Sequence, residues 1–190
     1  MKRSNKIIFT IIGAVLFIVL VVNVVLALAS EEKKSGAVQV IMENYFAIGN
    51  TLAQDNFKGV DKNAENMAEA SSRILKDEKP NSSERKESLA KVKQIQTSAE
   101  KFVSKDLKSS RESYKALSAA VTDFVKANGY SDPAYSFYCP MADQTWFQAE
   151  EKIANPFYGS QMLRCGKMTG MVKEGKYLEK GTDEKDGHKH

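Results

Sequence analysis

Residues 107–129 read LKSSRESYKALSAAVTDFVKANG, and the fold turns on what this stretch does and where it stops. Leu107, Tyr114, Leu117, Val121 and Phe124 are spaced by three, four or seven residues, which places them on one face of a helix. Lys, Glu and Ser fill most of the other positions and read as a solvated face. Asn128-Gly129 is a stop signal, because glycine ends an α-helix in a conformation that other residues resist. Past Gly129 the composition changes abruptly. Tyr130 to Tyr158 holds eight aromatic residues and three of the chain's four prolines, so it cannot be one long helix.

Upstream, the helical period recurs three times. Val38, Ile41, Tyr45, Ile48 and Leu52 form one stripe; Phe57, Val60, Ala64, Met67, Ser71 and Ile74 form a second; Leu89, Val92, Ile95 or Gln96, Ala99 and Phe102 form a third. Lys79-Pro80-Asn81-Ser82 separates the second from the third, since the residue before proline avoids the helical region and Ser82 or Ser83 can cap the next helix. Ser104-Lys105-Asp106 is read as the break before the fourth helix. The pattern predicts helices over about 37–54, 57–78, 83–103 and 105–128. Short connections make the expected fold all-α: an up-down four-helix bundle, with an irregular aromatic-rich segment (130–171) packed on it to complete a domain over 37–171. The stripes carry no histidine and few acids, so core packing explains them. Residues 172–190 are charged and glycine-broken and read as a disordered polar tail.

The other end of the chain is a targeting segment. Lys2, Arg3 and Lys6 precede a nearly unbroken apolar run from Ile7 to Ala29 that closes on Ala27-Leu28-Ala29. This is the layout of a signal peptide cleaved before Ser30, although the run is also long enough to remain as an N-terminal membrane anchor. In both cases the basic flank stays cytoplasmic and the remainder is expected outside the cytoplasm, periplasmic in a bacterium.

Export changes the charge reading. The chain carries 28 basic and 24 acidic residues, but residues 1–29 contribute three of the former and none of the latter, leaving 25 against 24. A nucleic-acid footprint needs a clustered basic excess, and this remainder has none. Catalysis is also disfavoured. The only histidines are His188 and His190 at the extreme end, and no phosphate-binding glycine loop or dinucleotide fingerprint is present, so no enzyme activity is expected.

The remaining chemistry lies between residues 139 and 171, where both cysteines and four of the seven methionines fall. Cys139-Pro140-Met141 and Met162-Leu163-Arg164-Cys165 offer two thiols and two thioethers, soft donors that select monovalent copper or a related metal. The candidate metal ligands are therefore Cys139, Met141, Met162 and Cys165. A second reading stands beside this one. In an oxidising compartment Cys139 and Cys165 can form a disulfide that closes a loop of about 25 residues, stabilising by roughly 3 kcal/mol. Met141 and Met162 are then packing residues.

The run Tyr138-Cys139-Pro140-Met141-Ala142, Trp146, Ile153-x-Asn155-Pro156-Phe157-Tyr158-Gly159 and Met162-x-x-Cys165-Gly166 resembles the end of a bacterial family of exported helical domains of unknown function. Arg111, Tyr114 and Leu117-Ser118 fit the same family. Its members occur alone or fused to periplasmic adaptor subunits of copper and heavy-metal efflux systems. The resemblance covers roughly Val38 to Met171. It implies a periplasmic bundle that brings the Cys-Pro-Met and Met-x-x-Cys-Gly elements together, a link to copper or heavy-metal handling, and an efflux adaptor or other envelope protein as partner. The chain departs from the family in having only Ala142 to Thr145 between the Cys-Pro-Met element and Trp146, where members often carry a longer Gly/Asn-rich insert.

Overall fold

The Val38–Leu52 stripe forms helix α1, residues 36–53, in the computed structural model, which describes residues 19, 21, 22 and 36–180. Helix α2 spans Val60–Asp77, α3 Ser83–Glu100 and α4 Leu107–Asn128. Local chemistry sets their starts. The Ser82 side chain accepts from the Arg85 N–H at 3.1 Å, and Asp106 and Ser109 form a reciprocal capping box at the start of α4.

The helices close into a ring. α2 packs on α3 and α3 on α4. Asn66 Nδ2 donates to Asn44 Oδ1 at 3.0 Å to tie α2 to α1, and Tyr45 of α1 stacks on Tyr114 of α4 with centroids 5.2 Å apart. Ile41, Ile48, Met67, Ile95 and Leu117 fill the interior with no exposed surface, each burial contributing about 2 kcal/mol.

The chain divides into two compact units, Met1–Gly36 and Ala37–His190. In the first, Val19, Val21 and Val22 are helical and exposed. Most of the apolar run from Ile7 to Ala29 lies outside the described residues, as do His188 and His190. Among the described residues no helix is long and apolar enough to cross a membrane.

The structure corrects the all-α expectation. Strands β1 (Ala134–Cys139), β2 (Gln144–Gln148), β3 (Lys167–Lys173) and β4 (Lys176–Glu179) form one antiparallel sheet in the order β2-β1-β3-β4. Sixteen of the 42 residues in the segment read as irregular are thus strand. A bulge hides it from pattern reading: Ser136 pairs with Gly170 and Phe137 with Met168, leaving Thr169 over. Burial along β1 changes phase at that point, with Ala134 and Ser136 buried before it and Phe137 and Cys139 after it. Of the expected tail, residues 172–179 are not irregular, because Val172 is buried in β3 and the chain pairs on through β4, while residues 181–190 lie outside the described residues.

Tyr45 joins the helices to the sheet. Its buried hydroxyl accepts from the Phe147 N–H on β2 at 3.2 Å and lies 2.5 Å from Ser118 Oγ on α4. At the other edge of the sheet Lys126 Nζ sits 5.4 Å from the centre of the Tyr177 ring.

Candidate functional site: the cysteine pair

Cys139 is the last residue of β1, an inner strand of the sheet, and is fully buried, while Cys165 lies half-buried in the loop that enters β3. Both carry free thiols, so the alternative Cys139–Cys165 bridge is not formed in this structure. The two are close enough for their side chains to hydrogen-bond. Burial pushes the Cys165 thiol above its ordinary pKa, and Cys139 beside it adds to the shift.

Asn155 holds the pair. It is fully buried, and its Nδ2 donates to Cys139 Sγ at 3.2 Å and to the Cys165 carbonyl at 2.8 Å. Its Oδ1 accepts from the Phe157 N–H at 2.8 Å and the Tyr158 N–H at 3.3 Å. The Asn155 N–H donates to the Leu163 carbonyl at 2.9 Å, and its carbonyl accepts from the Gly159 N–H at 3.0 Å. Pro156 disfavours helical backbone at Asn155, which frees the asparagine side chain to take the donors of the turn after it. In the sequence Asn155-Pro156 reads only as turn chemistry; its place between the two cysteines was the available signal.

The two methionines differ in their settings. Met141 sits in the turn between β1 and β2 with 61% of its surface exposed, and its carbonyl accepts from Tyr158 Oη at 3.0 Å. Met162 follows the 3-10 turn Gly159–Gln161 and is half-buried, its carbonyl accepting from the Cys165 N–H at 2.9 Å. Among the described residues no group of three or more His, Cys, Asp or Glu side chains gathers into a metal site. Among the described residues, then, no imidazole, carboxylate or third thiol joins the two cysteines.

A second cluster fixes the loop against the bundle. Arg111 Nε donates to the Pro156 carbonyl at 3.1 Å, while Nη2 donates to the Leu52 carbonyl at 2.9 Å and to Asp55 Oδ1 at 2.6 Å. Asp55 Oδ2 accepts from the Ser160 N–H at 3.0 Å. The Ser160 hydroxyl first, and then Arg111, push the Asp55 carboxyl down to about 2. A carboxylate with a depressed pKa stabilises the fold above its unfolded value of 3.8, and that contribution is lost as pH falls toward 2. The urea midpoint of the protein is therefore expected to fall between pH 5 and pH 2.5 more steeply than that of Asp55→Asn; parallel pH profiles would show that the Asp55 carboxylate does not stabilise the fold.

Residues 41–132 match a family model described as a protein of unknown function (DUF3347). The match runs from Ile41 in α1 to Asp132, just past α4, so it covers the helical ring and ends before β1. Neither cysteine lies within it. Comparison with curated proteins and with solved structures finds no significant match in either.

Proposed function

We propose that this chain is an exported, non-enzymatic accessory protein that binds copper(I) or another soft metal ion at Cys139 and Cys165. In this reading Met141 and Met162 supply further donors, and the protein serves metal efflux or homeostasis in the periplasm. One observation carries it: two free thiols from separate elements are held side by side by a buried asparagine whose Nδ2 donates to one of the sulfurs. An N–H donor directed at a ligand sulfur is the kind of outer contact that orients it toward a metal. Cys165, kept protonated by burial, gives up its proton on binding, so uptake strengthens as pH rises. The up-down bundle is the rigid support, and the exposure of Met141 leaves it open to an incoming donor protein.

The N-terminal basic flank and apolar run support export, by cleavage or as an anchor. The resemblance to domains fused to efflux adaptors supports an adaptor or another envelope protein as partner. The closeness of the two thiols also favours a second reading, a non-catalytic structural or interaction domain stapled by a Cys139–Cys165 disulfide.

Titration of the reduced protein with copper(I) against a coloured chelator separates the two readings. One equivalent is expected to bind, with at least about a hundredfold loss of affinity in Cys139→Ser. Replacing Met141 and Met162 together by leucine weakens binding by less than the cysteine change does and leaves the thermal midpoint nearly unchanged. No stoichiometric uptake after full reduction, with thiols that re-form a bridge at a glutathione potential, overturns the metal reading in favour of the staple.

A further inference from the structure

A groove of about 410 Å³ opens between the first three turns of α4 and the loop after Asn155. Leu107 and the rings of Phe157 and Tyr158 supply apolar walls, and Lys108, Arg111 and Lys115 supply cations against one acid, Glu112. The walls belong to different parts of the chain. They are fixed relative to each other by Arg111, whose Nε and Nη2 bridge α4 to the Pro156 carbonyl and to Asp55. Gly159 makes this closure possible: at φ +57° its missing Cβ would lie 2.0 Å from Asp55 Oδ1 and 2.2 Å from Arg111 Nη2. The groove is thus preformed rather than opened by its ligand.

Its size and its combination of aromatic wall with a few converging polar groups are those of a small-molecule site. The charges select the ligand's sign. Lys115 is paired with Glu112 at 3.0 Å and Arg111 with Asp55, while Lys108, exposed at the rim, interacts with Asp106 off the lining and is the cation left to face a ligand. We propose that this groove binds a small organic anion with an aromatic or aliphatic body, its acid group at Lys108 and its apolar part against Leu107, Phe157 and Tyr158. This site is separate from the cysteine pair and does not depend on metal binding.

The probe is 1-anilinonaphthalene-8-sulfonate, with its uncharged parent N-phenyl-1-naphthylamine as control, titrated into the intact protein and mapped by amide chemical shifts. The sulfonate is expected to saturate at one equivalent and to move resonances at residues 107–115, 142 and 157–161. Lys108→Glu, an exposed substitution, is expected to weaken the sulfonate about tenfold and the neutral parent by less than twofold. Shifts scattered over the surface, binding without saturation, or equal losses for the two probes would overturn the proposal. Arg111→Ala provides a second test through the wall itself: binding of both probes falls while α4 remains folded by far-ultraviolet dichroism. Undiminished binding in that variant would also contradict a preformed groove.

Discussion

Asn155→Leu is expected to lower the stability of the protein by about 4 kcal/mol, measured as a shift of its urea midpoint at neutral pH. Leucine has a similar volume, so the loss is one of hydrogen bonds rather than of packing. The Phe157 and Tyr158 N–H groups lose the acceptor Oδ1, and the Cys165 carbonyl loses the donor Nδ2. Each orphaned buried group costs roughly 1–3 kcal/mol. The chemical effect is as large as the structural one, because the donor to Cys139 Sγ disappears with the side chain. Asn155→Asp distinguishes the two. Aspartate keeps an acceptor for Phe157 and Tyr158 but presents a carboxylate to the sulfur and to the Cys165 carbonyl. It is expected to lose more copper(I) affinity than stability, whereas equal and small losses would show that Asn155 is only a turn residue.

Gly129→Ala is expected to cost at least about 3 kcal/mol, seen in the thermal or urea midpoint. At φ +74° and ψ −170° this residue occupies backbone space essentially reserved for glycine. An added Cβ would also sit 1.8 Å from the Gly175 carbonyl oxygen and 2.9 Å from its carbon. Those are backbone atoms of the turn between β3 and β4, so no side-chain rotation relieves the clash. The hairpin must move off the end of α4, and tryptic cleavage at Lys173 and Lys176 is expected to rise with the loss of stability. An unchanged midpoint would mean that the α4 terminus and the hairpin are not in contact in solution.

The helical ring is legible in the sequence because its burial follows its period. Ile41, Tyr45, Ile48 and Leu52 are spaced as a helix requires, and all are buried. The starts of α3 and α4 are equally legible, since Ser82 and Asp106 use capping chemistry confined to three residues. The sheet is not legible, for identifiable reasons. Its bulge at Thr169 breaks the alternation that marks a strand, and its interior includes Ser136 and Gln148, polar residues satisfied only by the fold. Ser136 Oγ meets Thr169 Oγ1 at 2.6 Å, and the Gln148 side chain bonds Trp146, Ala154 and the carbonyls of Glu150 and Lys152. The turn into β4 puts Glu174 at φ 51° beside Gly175 at φ 77°, and glutamate is not a residue that advertises a left-handed turn.

Of the candidate site, only the cysteines are conspicuous in the sequence. Cys139 and Cys165 stand out by scarcity, and the structure brings their thiols together. What sequence reasoning missed is Asn155, because a side chain that links two distant residues leaves no periodic trace. The latch of Asp55, Arg111 and Gly159 escaped for the same reason, with its parts drawn from three segments of the chain.

Whether the two cysteine sulfurs form the core of a soft-metal site is tested most directly by the copper K-edge absorption spectrum of the reduced protein with one equivalent of copper(I). A coordination sphere made of sulfur is predicted, with the two thiolates as its strongest scatterers and their contribution lost in the Cys139→Ser, Cys165→Ser double variant. A sphere of nitrogen and oxygen, or a sulfur sphere that survives in that variant, would contradict a metal site built on the cysteine pair.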